Sequence, residues 1–179
     1  MDKFVRYDRK LKYKGTIIDI YKDFITTPEG HNVEFDFIGH KGAAAVIPVM
    51  DDGSILLVEQ WRNSIDRFTL EIPAGGRDTV NENSKDCASR ELEEETGYKS
   101  KDIEFLQTIV PVAAYSEEKI DVYVARNLIP SKQNLDEDEF INVRRFSVKE
   151  LVDMVLSNKI QDSKTAASIM AYYVKYCIG

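Results

Sequence analysis

Four glutamates fall within five consecutive positions of this 179-residue chain, in the run Arg90-Glu91-Leu92-Glu93-Glu94-Glu95-Thr96-Gly97. Any fold has to put that charge where it is tolerated. On an α-helix at about 3.6 residues per turn, Glu91 and Glu95 stack one turn apart with Glu94 beside them. Carboxylates gathered on one face repel one another unless positive charge stands among them. A hard divalent cation such as Mg²⁺, which prefers oxygen ligands, is a natural neutraliser. The plainer reading of the same run is a solvated helix face with i,i+4 ion-pair support.

Composition narrows the class. At 43% hydrophobic residues the chain carries enough apolar material for the core of one good-sized domain. A net charge of −7 argues against a nucleic-acid backbone or an anionic membrane surface as the main partner. An anionic substrate would then need local compensation, from metal or from a few placed arginines. Cys87 and Cys177 suggest a reducing compartment without a disulfide framework, and Cys87 reads as a small buried residue of the acidic helix. His31 and His40 are too isolated to suggest a zinc site. With no apolar run of membrane-spanning length and no signal-peptide core at the start, the expected compartment is the cytoplasm.

Local patterns order the elements. Thr16 to Ile25 and Asn32 to Ile38 read as a hairpin around the turn Pro28-Glu29-Gly30. After Lys41-Gly42, the apolar run Ala43 to Met50 predicts a strand buried on both faces. Asp51-Asp52-Gly53 predicts a hairpin turn into a partner strand, Ser54 to Trp61. Phe68 to Ile72 reads as a further strand stopped by Pro73, and a helix over Ser84 to Thr96 ends at Gly97 as its C-cap. Strands follow near Ile103 to Val110, Ile120 to Ala125 and Phe140 to Phe146. Ser147 and Asp162 read as N-caps of two last helices, ending near Ser157 and Cys177. Ala166, Ile169, Met170, Tyr173 and Val174 recur at helical spacing as the packing face of the second. Strands and helices mixed in this order predict a layered α/β arrangement with a mixed sheet.

The segment Gly76 to Tyr98 resembles the Nudix box, G-x5-E-x7-R-E-U-x-E-E-x-G-U with U a bulky aliphatic residue. It matches at Gly76, Glu82, Arg90, Glu91, Leu92, Glu94, Glu95 and Gly97, and departs at Tyr98. The resemblance implies a three-layer α/β/α sandwich and metal-dependent hydrolysis of a nucleoside diphosphate linked to another moiety. It divides the chain into an N-terminal β-rich segment, residues 1–40, and a Nudix domain, residues 41–179. Glu71-Ile72-Pro73-Ala74-Gly75, Glu59-Gln60-Trp61-Arg62, the acidic loop Leu135 to Phe140 and Asp162-Ser163-Lys164-Thr165 are similar to segments of the ADP-ribose pyrophosphatases. In that subgroup the N-terminal segment commonly pairs across a homodimer and contributes to the adenine pocket.

The resemblance implies roles for particular residues. Glu91, Glu94 and Glu95, with a backbone carbonyl of Ala74 or Gly75, would hold Mg²⁺, with Mn²⁺ as a substitute. Glu137 or Glu139 on the acidic loop, with Glu94 as rival, would take a proton from water. Arg62 is a candidate for a phosphate contact and reads also as a surface salt bridge. Glu71 joins it in the substrate set, while Trp61 and Phe37 are candidates to stack an adenine, each reading also as core or dimer interface. Arg90 would orient the carboxylates, with Gly76, Glu82 and Gly97 framing the box. ADP-ribose is the expected substrate. Ala113 stands where that subgroup has a proline, which leaves open another nucleoside diphosphate sugar or a dinucleoside polyphosphate as substrate; a further alternative is a regulator that binds a nucleotide sugar without cleaving it, although such proteins typically lose box glutamates and none is lost here.

Overall fold

The computed structural model describes residues 3–16, 18–135 and 139–178. Among these, β1 (Val5–Lys14), β2 (Asp19–Thr26) and β3 (Asn32–Gly39) lead to β4 (Ala43–Pro48), β5 (Ile55–Arg62), β6 (Arg67–Glu71) and β7 (Ala74–Gly76). Helix α1 (Ser84–Thr96) follows, then β8 (Tyr98–Lys99), β9 (Asp102–Ile109), β10 (Ile120–Arg126), β11 (Ile129–Pro130) and β12 (Ile141–Phe146). Helices α2 (Val148–Leu156) and α3 (Ser163–Tyr176) close the order.

The six residues of β4 are all buried, because both of its faces are covered. Ala44 and Val46 pack with Cys87, Ala88 and Leu92 of α1 on one side. Ala43, Ala45 and Ile47 pack with Leu151, Val152, Ile169 and Tyr172 of α2 and α3 on the other. Helix, sheet and helix pair form three layers around these cores. The sheet runs in the order β7-β4-β10-β9, with β10 parallel to β4 and the other pairs antiparallel. Leu92 is fully buried; truncating such a side chain to alanine costs about 2–5 kcal/mol.

Helix α1 begins where the Asn83 side chain accepts from Lys85 N and ends at Gly97, whose φ of 71° places it in the left-handed region. There the Gly97 N–H donates to Glu93 O at 2.9 Å, which satisfies one of the last free carbonyls. Ser147 forms a full capping box with Glu150, and the Asp162 side chain accepts from Thr165 N. These caps hold both ends of the box helix and the starts of α2 and α3.

Three details differ from the pattern-based expectation. The turn at Asp51-Asp52-Gly53 forms, yet β5 joins β4 only through the Val49–Ile55 bridge. Both edges of β4 are taken by β7 and β10, so β5 pairs with β12 and β6 in a separate sheet. On α3 the buried residues are Lys164, Thr165, Ser168, Ile169 and Tyr172, whereas Val174 is 54% exposed. The packing face is rotated toward polar residues that bind Glu71 and its strand. Lastly, the N-terminal sheet has three strands in the order β1-β2-β3, and charged, exposed β1 escaped the pattern. Of the predicted strand Thr16 to Ile25, Ile17 lies outside the described residues and β2 begins at Asp19.

Candidate active site

The packing of α1 against β4 and β7 turns Glu91 and Glu95 inward, where both are buried. The Glu95 carboxylate accepts the Ala74 N–H at 3.1 Å. The Glu91 carboxylate lies against Gly75 so closely that a Cβ there would sit 2.1 Å from Glu91 Oε1. Glycine is required at 75 for this approach, although its own backbone conformation is ordinary.

These carboxyls are short of positive charge. Burial, then the charges of Glu94 and Glu139, push Glu91 up to about 7 against the opposing pull of Arg90. Burial, then the charge of Glu91, push Glu95 up to about 8, and Glu139 adds to this. A bound cation would reverse both shifts, and carboxylate oxygens suit a hard divalent ion. Among the described residues no three His, Cys, Asp or Glu side chains are grouped so that they alone could hold a metal ion. The chemistry of the donors fits a divalent metal, with Glu91 and Glu95 as its two buried anions.

Arg90 ties the box together. Its Nη1 donates to Glu91 Oε1 at 2.6 Å and to Glu94 Oε2 at 2.9 Å, while Nη2 donates to the Gly76 carbonyl at 3.1 Å. Its Nε faces Glu82 Oε1 at 3.5 Å. Glu82 in turn accepts the Asp78 N–H at 2.6 Å, which fixes the loop between β7 and α1. Half-buried Glu94 is therefore turned toward Arg90. Cys87, fully buried beneath this clamp, has its thiol pushed up to about 11 by burial.

Residues that the sequence reading left out, just before the acidic loop, bind the end of the helix. Ser131 N donates to the Gly97 carbonyl, Asn134 N to the Glu94 carbonyl, and Gln133 Nε2 to the Glu95 carbonyl at 2.6 Å. The segment thus caps the C-terminal end of α1, where free carbonyls need donors. Just beyond it, the charge of Glu139 reaches Glu91 and Glu95. Glu137 lies outside the described residues.

Beside the Glu71–Gly75 segment a cavity of about 590 Å³ is lined by Arg62, Glu71, Lys164, Ala74, Gly75 and Gly76 among others. Arg62 at the end of β5 holds Glu71 with a fork, Nε to Oε1 at 2.7 Å and Nη2 to Oε2 at 2.6 Å. Thr69 Oγ1 donates to Oε1 at 2.6 Å, and Lys164 Nζ donates to Oε2. Burial alone would push the Glu71 carboxyl up; the Arg62 fork, Lys164 and Thr69 outweigh it and hold the group at about 2. The Thr165 hydroxyl accepts the Ile72 N–H at 2.9 Å and donates to Asp162 at 2.6 Å. Of this network, the sequence offers Arg62 and Glu71 as substrate-site candidates and Asp162 as an N-cap; the contacts of Thr69, Lys164 and Thr165 it does not show.

Trp61 and Phe37 stand apart from that cavity. Trp61 is 43% exposed and meets Phe68 edge-on at 5.3 Å. Phe37 lies in the N-terminal sheet with the Arg9 guanidinium 3.5 Å over its ring. Ala113 lies in the turn between β9 and β10, a segment tied to β3 by the Ile38 N–H to Tyr115 carbonyl bond at 2.7 Å.

Comparison with known proteins gives this geometry a family. Residues 39–170 match the NUDIX domain. The chain is 34% identical over 165 residues to an ADP-ribose pyrophosphatase of Bacillus subtilis (strain 168), covering 91% of this chain and 89% of the relative. It is 33% identical over 160 residues to a methanol dehydrogenase activator of Bacillus methanolicus, covering 88% and 85%. An ADP-ribose pyrophosphatase of Mycobacterium tuberculosis (strain ATCC 25618 / H37Rv) is 28% identical over 163 residues, covering 90% and 79%. The crystal structure of an ADP compounds hydrolase shares the fold, with a TM-score of 0.85 at 18% identity across 97% of this chain and 94% of that one. No helix among the described residues is long and apolar enough to cross a membrane. A domain match that spans most of the chain, joined to likeness at 34% identity over 91% of it, makes this protein a member of the Nudix hydrolase family.

Proposed function

We propose that this Nudix pyrophosphatase hydrolyses ADP-ribose to AMP and ribose 5-phosphate with Mg²⁺. One observation carries the reading: a buried, cation-deficient carboxylate pair, Glu91 and Glu95, lies against Ala74 and Gly75, which also line the cavity with Arg62. Two relatives that bear the name ADP-ribose pyrophosphatase, at 34% and 28% identity, support the choice of substrate.

Glu91, Glu95 and a carbonyl of Ala74 or Gly75 would hold the ion, with Glu94 available once it leaves Arg90. When bound, Mg²⁺ supplies charge neutralisation at the diphosphate and lowers the pKa of a water ligand. Arg62 binds a phosphate oxygen with the part of its guanidinium not committed to Glu71. Arg90 orients Glu91 and Glu94. Glu139, Glu137 or Glu94 takes the proton as water attacks phosphorus and the bond to the bridging oxygen breaks. Phe37 and Trp61 stack the adenine across a homodimer formed through β1–β3. The exposed apolar residues Phe4, Val5, Tyr7, Leu11 and Tyr13 support such a contact, and sedimentation equilibrium reads it directly.

Glu94→Gln and Glu95→Gln, made singly, test the chemistry. Hydrolysis at near wild-type rate in both overturns the metal assignment. Ala113 favours a second reading, another nucleoside diphosphate compound as substrate. A substrate panel scored by kcat/KM separates the two, with ADP-ribose expected to lead.

A further inference from the structure

Lys164 is an unusual occupant of a protein interior. A lysine in the first turn of a helix ordinarily reaches water with its ammonium group, yet this residue is 8% exposed. Its Nζ donates to Glu71 Oε2 and to Asp162 Oδ2, the latter at 3.1 Å, at the wall of the cavity that Arg62 also lines. Glu71 thus faces two cations with one negative charge.

Asp162 restores part of the balance, and its charge and that of Glu95 also reach Arg62. The Asp162 Oδ2 also accepts the Thr165 N–H at 2.9 Å and the Thr165 hydroxyl at 2.6 Å, as the N-cap of α3. The positive end of that helix already takes up part of its charge. Of the two cations on Glu71, Lys164 is enclosed, whereas the Arg62 side chain is 38% exposed toward the cavity. The fork to Glu71 occupies Nε and Nη2, which leaves the Nη1 hydrogens for a ligand. Were Glu71 paired with Arg62 alone, the two charges would cancel and an anion would gain little there.

We propose that Lys164 is a positioning residue, the second counter-ion of Glu71, which leaves Arg62 a net positive charge for the diphosphate of the substrate. The inference rests on the reading of the cavity as a nucleoside diphosphate site and deepens it. Lys164 touches no reacting atom; it acts through Glu71 on Arg62. The Asp162-Ser163-Lys164-Thr165 segment thereby both caps α3 and sets the charge of a side chain on a distant strand.

The test compares Lys164→Met, Arg62→Gln and the double variant Lys164→Met/Glu71→Gln with wild type, using ADP-ribose at saturating Mg²⁺ and calorimetric Kd for ADP. Loss of one unshared charge is expected to raise KM and Kd about tenfold in Lys164→Met, with kcat within about threefold. The double variant is expected to recover most of that loss, because Arg62 no longer faces a full carboxylate. Unchanged KM in Lys164→Met overturns the proposal. So does a raised KM that the double variant fails to recover, since a packing role alone gives that pattern. If Lys164→Met does not fold, the double variant decides alone: KM near wild type supports the proposal, and KM as high as in Arg62→Gln overturns it. A wild type that binds ADP yet leaves ADP-ribose uncleaved sinks the substrate reading, while the Kd comparison still judges Lys164.

Discussion

Two buried carboxylate sites flank one short segment of this chain, and they are furnished in opposite ways. Glu71 receives the fork of Arg62, the Thr69 hydroxyl and the Lys164 ammonium, and stays ionised down to about 2. Glu91 and Glu95, on α1, share one arginine and one backbone N–H between them, and rise to about 7 and about 8. Burial is similar in the two places, so burial does not explain the difference. Supply of donors does. At Glu71 the protein provides its own cations, which makes a rigid ionic wall for a cavity. At Glu91 and Glu95 it withholds them, and an ion from solution has something to neutralise.

The comparison breaks most visibly in catalysis. Glu95→Gln is expected to lower kcat for ADP-ribose by roughly 100- to 1,000-fold, several kcal/mol of transition-state stabilisation. Next in size is stability, where loss of the carboxylate should have opposite signs at the two sites. Glu71→Ala leaves Arg62 and Lys164 without their shared anion and should cost about 3–5 kcal/mol in urea unfolding. Glu95→Gln in metal-free protein at pH 8 should raise Tm instead, because it removes a buried charge that has a backbone N–H but no cation in contact with it. Equal destabilisation by both would erase the distinction.

A smaller effect is the pH dependence of the metal-free protein. Glu91 and Glu95 sit above their ordinary value of 4.5, so the folded state binds protons more tightly than the unfolded chain. Their contribution is fully present below 4.5 and is lost as pH rises through about 7 and about 8. Metal-free Tm should therefore fall by about 5 °C or more over that span, and excess Mg²⁺ should abolish the fall. Glu71, depressed to about 2, acts in the other direction: its contribution is present above 4.5 and is lost as pH drops through about 2. Smallest of all, Gly75→Ala pushes the Glu91 carboxylate aside. It should weaken Mg²⁺ binding about tenfold while costing less than about 1.5 kcal/mol of stability.

The box helix was legible because its signals are local. Ser84–Thr96 and the Gly97 cap lie where caps and spacing put them. The all-buried β4 was legible as an unbroken apolar run bounded by glycine and a turn. Its partners were not: a tight turn predicts that neighbouring strands pair, yet β4 takes β7 and β10, and the parallel partner comes from far along the chain. Strand β1 was hidden because every residue but Arg9 is exposed, so no alternation marks it. At the site, the Glu91–Glu95 stack follows from helix periodicity alone. Lys164 could not be read, since a lysine near a helix start signals a solvated position, and only Glu71 arriving from β6 makes it a buried one.

The central claim is that Glu91 and Glu95 hold a divalent ion, and anomalous diffraction from crystals soaked in Mn²⁺ tests it most directly. The expected result is a strong peak within coordinating distance of both carboxylates and of an Ala74 or Gly75 carbonyl, absent from a Glu91→Gln/Glu95→Gln crystal treated alike. A wild-type crystal that hydrolyses substrate with Mn²⁺ while showing no peak there, Glu91 still on Arg90 and Glu95 still on the Ala74 N–H, would contradict it.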